Sequence, residues 1–241
     1  MALLWWFTMA FAGSLVFIPS GHYEPLIPAD PDQPITEVAA FRLDDRPVTA
    51  GEFAAFVDSD PRWSPSGVAP LLADAGYLEG TQRPGEPVVR VSWFAARAFC
   101  AAAGKRLPTE DEWEYVARAS ATQADASDDP EHLQTLLAWY GRPSSDALPM
   151  VGQGVANVYG VHDLHGVVWE WVEDFNNTLF VADGRQGGDG DRLAFCGAGA
   201  VSATDVSDYA RFMRVAFRSS LRGSYTTSNL GFRCAADAEA P

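Results

Sequence analysis

Cysteine is scarce in this 241-residue chain: with three of them, at most one internal disulfide can form and one thiol is left over. Histidine numbers only four, too few for a metal centre built on a cluster of imidazoles. Basic residues are also few, 17 Lys and Arg against 32 Asp and Glu, for a formal net charge of −15. That balance disfavours nucleic acid, whose binding depends on Lys and Arg replacing counterions. It disfavours anionic lipid for the same reason. Long apolar helical runs are missing, so no strong membrane association is expected. A Gly-x-Ser-x-Gly elbow, a phosphate-cradling loop and a dinucleotide fingerprint are absent as well.

What the chain does have is core-forming material. The apolar fraction is 47%, with eight Trp and fourteen Phe, enough for one large domain. Gly and Pro are scattered throughout, the pattern of an irregular, loop-rich α+β protein. Residues 1–12 are almost wholly apolar, and Ala10-Phe11-Ala12 has the small-x-small form of a signal-peptidase site. No Lys or Arg precedes Arg42, so a basic leader region is missing. A signal peptide, an anchor fragment and a first buried strand all compete for this segment, and the cysteine usage favours export.

Along the chain, Leu15 to Ile18 reads as a buried strand stopped by Pro19. Thr49–Glu52 and Thr109–Glu112 are capping boxes, each opening a helix. Ser92 caps a helix from Trp93 to Ala103 that Gly104 terminates. Val88 to Val91 reads as a short strand. Residues 58–87 form a long loop with five prolines, 119–135 an exposed acidic insertion, and 183–192 a Gly-rich loop.

Three longer strings stand out. The first is Pro87-Val88-Val89-Arg90-Val91-Ser92-Trp93, then Cys100 and Gly104-Lys105-Arg106-Leu107-Pro108-Thr109-Glu110-Asp111-Glu112-Trp113-Glu114-Tyr115. The second runs from Asn157 through His162-Asp163-Leu164-His165-Gly166-Val167-Val168-Trp169-Glu170-Trp171. The third is Phe217-Arg218-Ser219-Ser220, then Ser228-Asn229-Leu230-Gly231-Phe232-Arg233-Cys234. In content and order they resemble the formylglycine-generating enzyme, or sulfatase-modifying factor, family. The resemblance implies a single α+β domain of C-type-lectin-like topology over residues 13–241, poor in regular structure.

It also implies a calcium site at Asp163, Gly166, Val168 and Glu170, two carboxylates and two carbonyls of the kind a hard cation takes. The alternative is that these carboxylates only bind backbone amides. His162 and His165 lack a third ligand and read as structural. Family positions further imply a Cys100–Cys234 disulfide, with a second bridge replaced by Val116 and Val215. Such a bridge accords with an oxidising compartment, periplasmic or otherwise exported.

True formylglycine generators carry a copper-binding cysteine pair just upstream of the third string. Counting back from Arg214, those positions fall at Asp205 and Ala210. Cuprous copper wants thiolates, so formylglycine formation by that route is not expected. The lone Cys196 is either a nucleophile or soft-metal ligand beside a Gly-rich turn, or a small buried apolar residue. The stretch around Cys196 and on through Asp208 to Arg214 resembles the NirV-like nitrite-reductase accessory branch, and that resemblance implies an accessory role in denitrification.

Two functions follow. One is an exported accessory or maturation factor that holds a polypeptide partner, such as a copper nitrite reductase system, in a surface cleft. Its walls would include Cys196, Ser202, Asp205, Arg218, Ser219 and Asn229. The other is a divergent oxidase, dependent on copper or iron and acting on a small or peptide-linked substrate, with Cys196 as the reactive residue. A purely structural lectin-like module is the third reading.

Overall fold

The computed structural model describes residues 13–28, 30, 32–80, 82–141, 147–176 and 206–238. In chain order its elements are strands β1 (Leu15–Ile18), β2 (Gly21–Tyr23), β3 (Thr36–Val38) and β4 (Phe41–Asp44), then helices α1 (Ala50–Ser59), α2 (Trp93–Ala102), α3 (Glu110–Ala117) and α4 (Pro130–Tyr140). β5 (Trp169–Glu170), α5 (Val206–Ser219), β6 (Leu230–Gly231) and β7 (Ala235–Asp237) complete it. This is the expected α+β architecture, with short strands and long connections.

The main sheet has the order β1-β4-β7, antiparallel throughout, so the N-terminal strand and the last strand flank β4. β2 and β3 form a separate hairpin. β5 and β6 pair in parallel, Trp169 opposite Leu230 and Glu170 opposite Gly231. This small ladder joins the second and third sequence strings.

Both capping boxes form. The Thr49 hydroxyl accepts from the Glu52 amide at 3.1 Å while the Glu52 carboxylate takes the Thr49 N–H at 2.8 Å. Thr109 and Glu112 repeat this at α3. Ser92 caps α2, and Gly104, at φ +70°, turns the chain out of it. The inner side of α2 delivers Phe99 and Cys100 to the core. There Phe53, Phe56, Phe99 and Phe232 pack ring against ring, with centroids 5.4–6.1 Å apart. Cys100 and Cys234 are joined in a disulfide that ties α2 to the approach to β7 across 134 residues.

Three local expectations need correction. Val88 to Val91 is not a strand. Arg90 has a left-handed backbone, φ +56°, and the amides of Val88 and Arg90 bond to Val48 and Thr227, on different segments. The 119–135 stretch is not irregular to its end. Asp129 caps α4 at 2.9 Å from the Glu131 amide, with Pro130 in the first turn, and Leu136 is buried. Finally, the stretch before the third string forms α5, a helix the sequence reading did not anticipate.

Candidate functional site

The second string folds as two tight turns followed by β5. Asn157 closes the first, its side-chain oxygen accepting from the Tyr159 and Val161 amides at 3.0 and 3.1 Å. Asp163 sits at φ +58° and accepts from the backbone amides of Gly152 and, at 3.3 Å, Gly154. Gly166, at φ +96°, makes the second turn, a conformation that side-chain-bearing residues rarely adopt.

β5 then places Glu170 in the interior. Its carboxylate accepts from Arg233 Nε and Nη2 and from the Trp113 indole, all at 2.8 Å. Arg233 is fully buried and also donates to the carbonyls of Asp44 and His162 at 3.2 and 2.9 Å. Trp113, Glu170 and Arg233 come from the three separate strings, and here they meet. A carboxylate offers about four lone-pair directions; three are occupied on Glu170, leaving one on Oε1.

Beside this lies a second buried ionic group, between α3 and α5. Glu114 accepts from Arg214 at 2.7–3.0 Å and from Arg218 at 2.6 Å. Arg218 reaches Glu110 at 3.2 Å and lies 4.6 Å above the Trp113 ring. Arg214 donates to the Tyr140 hydroxyl at 3.1 Å. Burial alone would raise the Glu114 carboxyl, but the two guanidinium groups overcome it and hold Glu114 down at about 2. Glu110 shifts the other way, pushed up by its burial against the pull of Arg218.

An aromatic rank covers one side of this group. Trp169 stacks on Phe217 at 4.4 Å and on Tyr140 at 5.4 Å, with Trp139 at 5.2 Å. All four rings are part-buried. His165 stands edge-on to Trp113, and its Nε2 donates to the Ala117 carbonyl at 3.0 Å. Burial and the nearby Arg214 push its imidazole down to about 3, so it is neutral at ordinary pH.

The sequence-nominated residues divide as follows. Cys196, Ser202 and Asp205, with the 183–192 loop and residues 1–12, lie outside the described residues. Arg218 is buried in its ion pairs, and Ser219 is part-buried at the end of the same helix. Asn229 holds β5 through its backbone carbonyl, which accepts from the Trp169 amide at 2.8 Å. Among the described residues, no three His, Cys, Asp or Glu side chains are grouped to hold a metal ion. Glu114, Arg214, Tyr140 and Trp139 escaped the sequence reading. The usable signal was spacing: 110/114 on α3 and 214/218 on α5 are each one helical turn apart, with opposite charge.

Comparison with known proteins decides the family, since the model of the sulfatase-modifying factor enzyme 1-like domain matches residues 9–238. The chain belongs to this family. Relatives within it include the formylglycine-generating enzyme of Streptomyces coelicolor, 33% identical over 88% of this chain and 83% of that one. The bovine inactive C-alpha-formylglycine-generating enzyme 2 is 37% identical over 64% of the chain, which spans about half (52%) of that relative's length. Hercynine oxygenase of Mycolicibacterium smegmatis is 31% identical over 67% of the chain and 45% of its own. Among solved structures, PvdO from Pseudomonas aeruginosa superposes with a TM-score of 0.52 at 20% identity, covering 96% of this chain and 97% of that one. CarF gives 0.55 at 16%, covering 95% and 100%. At such identities these two establish the fold alone. The sulfatase-modifying-factor-like chain thus carries the family's three strings in the family's fold.

Proposed function

We propose that this family member is an accessory or maturation factor that binds a polypeptide partner and does not itself generate formylglycine. One observation carries the reading: of three cysteines, Cys100 and Cys234 are consumed by a disulfide, leaving Cys196 alone. Two thiolates are what a cuprous site of the formylglycine-generating type would need, and one remains. Ala210, at one of the two positions aligned with that pair, is a buried residue of α5. That a curated relative at 37% identity is named inactive supports the same direction. Export to an oxidising compartment accords with the disulfide. A copper nitrite reductase system as partner rests on the likeness of the Asp208–Arg214 stretch to the nitrite-reductase accessory branch.

The test is to incubate the purified, oxidised protein with cuprous copper, oxygen and a cysteine-containing sulfatase-type peptide, and to follow the peptide by mass spectrometry. No formylglycine is expected, and its formation at enzymatic rates sinks the proposal. In parallel, capture from a native periplasm should recover a specific partner that a cleft variant loses.

The oxidase reading keeps one support, that a relative at 31% identity is named an oxygenase. It requires a bound copper or iron whose stoichiometry falls in Cys196→Ala.

A further inference from the structure

The chain is anchored from its first described residues. Ser14 accepts the Asp45 amide at 2.9 Å, Leu15 pairs with Asp44 at the start of β1, and the Gly13 carbonyl accepts from Lys105 Nζ at 3.1 Å. Gly13 is therefore fixed on its C-terminal side by the fold itself. Beside it, Asp45 Oδ1 is buried and accepts no hydrogen bond among the described residues. A buried carboxylate oxygen without a donor is costly, and native proteins supply one. The neighbouring cations do not. Lys105 is taken by Asp44, and Arg46 forks onto both oxygens of Glu52. The Gly13 amide does not reach Oδ1 either.

The geometry of Gly13 shows where a donor fits. A Cβ built on it lies 2.6 Å from Asp45 Oδ1, with Arg46 Cγ at 3.5 Å and Asp44 Cβ at 3.7 Å. Glycine has no Cβ, so this tetrahedral position holds only hydrogen. It is also the position the Gly13 nitrogen takes when the Cα–C bond turns by a third of a revolution, since N–Cα, at about 1.46 Å, is nearly as long as Cα–Cβ. There the nitrogen meets Oδ1 close to the separation of a charge-assisted hydrogen bond, about 2.7–2.9 Å. A nitrogen bonded to residue 12 has to carry everything upstream of it through that turn. A free α-amino group turns alone, with three N–H donors to offer.

We propose that Gly13 is the N-terminus of the mature protein and that its α-ammonium docks on Asp45 Oδ1, so that removing the segment before it completes the packing at β1. The cut falls after Ala10-Phe11-Ala12, whose small-x-small form suits a signal-peptidase-type endoprotease. Water adds across the Ala12–Gly13 peptide bond, leaving a carboxylate on Ala12 and an α-amino group on Gly13, which is protonated below an ordinary pKa of about 8. The motif comes from the sequence and the orphaned carboxylate from the geometry, and both point to the same residue. The assignment rests on the export reading and not on the identity of the partner.

Two measurements test it. The first is N-terminal sequencing of the protein isolated from the cells that make it. A start at Gly13 is expected, and an uncut chain or a start at any other residue overturns the proposal. Counting free thiols on the same sample separates this failure from that of the export reading. A different start with the Cys100–Cys234 bridge intact overturns the Gly13 assignment alone, whereas an uncut chain with every cysteine reduced removes both. The second measurement compares oxidised chains that begin at Gly13 with a free or an acetylated amine, each with Asp45 or with Asp45→Asn. Near neutral pH the free amine should lower the unfolding equilibrium constant roughly tenfold relative to the acetylated chain, the worth of one hydrogen bond between charged groups. Asp45→Asn should remove that difference. Equal stability of the free and acetylated chains with Asp45 in place overturns the proposal, and this comparison needs no substitution that has to fold. A difference that persists in Asp45→Asn assigns the ammonium to another acceptor and overturns it too.

Discussion

The Glu114 carboxylate and the Arg214 guanidinium, 100 residues apart in sequence, meet in the interior through three contacts of 2.7–3.0 Å. Arg218 closes on the same carboxylate from one turn further along α5. The group fastens α5 to α3, and α5 in turn brings Phe217 onto Trp169. Removing one member of a buried pair leaves the other charge uncompensated, which costs about 3–5 kcal/mol. Glu114→Ala takes the carboxylate from both guanidinium groups, leaving Arg218 to Glu110 and Arg214 to the neutral Tyr140 hydroxyl. It should therefore lower the unfolding free energy measured in urea by an amount within that range. A loss under about 1 kcal/mol would mean that water reaches the pair and that α5 is held by its aromatic contacts instead.

The same group fixes how stability responds to acid. Glu114 is held at about 2 in the folded protein against an ordinary 4.5. A lowered carboxylate contributes stability that is complete above its unfolded value and is lost as pH falls through its folded one. The window is thus between about pH 4.5 and about pH 2, and the contribution is on the order of 3 kcal/mol. Asp44 acts with the opposite sign. Burial raises it to about 6 despite Lys105, so its contribution is complete below its ordinary value and is lost as pH rises through 6. Chemical denaturation of the native protein should show stability rising as pH falls from 6 towards 4, where Asp44 takes up its proton, and the Glu114 loss below that, down to about pH 2. Glu114→Gln should flatten the curve below pH 4.5, and an unchanged slope there would refute the assignment.

Much of this was readable in advance where the cause is local. Thr49 with Glu52, and Thr109 with Glu112, satisfy amides three residues away, so the two helix starts could be placed without knowing the fold. The Cys100–Cys234 pairing was readable only through resemblance, since nothing in the spacing of three cysteines selects it. Val88 to Val91 misled because its apolar content is genuine while its hydrogen-bond partners, Val48 and Thr227, are set by tertiary packing. Glu114 and Arg214 were hidden for a related reason. A charge on a helix reads as solvated until the facing helix is known, and α5 itself was not foreseen.

The disulfide should matter in proportion to the chain it closes. Cross-linking across 134 residues restricts the unfolded ensemble by about 5 kcal/mol on the chain-entropy argument. Paired Cys100→Ser and Cys234→Ser substitutions, which avoid a stray thiol, should reduce unfolding free energy by an amount of that order. Thiol titration of the denatured, unreduced wild type should count a single free group, Cys196. Three thiols in protein made in an oxidising compartment would refute the bridge and, with it, the inference of export.

The calcium proposal turns on how much of the 163–170 turn remains available to a cation. Asp163 already accepts two backbone amides, Glu170 keeps one lone-pair direction on Oε1, and the carbonyls of Gly166 and Val168 are the other oxygens the family resemblance assigns. Oxygen-only sets are what a hard cation takes, with water completing its shell. Ligand binding to the folded state stabilises it by about 2.7 kcal/mol at a hundredfold excess over Kd. For a chain of this size that is roughly 5–10 °C in Tm. Millimolar calcium added to chelator-treated protein should raise Tm by such an amount, and magnesium should do so less. Asp163→Asn tolerates the left-handed backbone but turns a donor toward one of the two backbone amides, so it should start from a lower Tm and lose most of the calcium shift measured from that baseline. If calcium leaves Tm unchanged in the wild type, Asp163 and Glu170 act solely as the hydrogen-bond and ion-pair partners seen here, and the turn is held by Gly152, Gly154 and Arg233 alone.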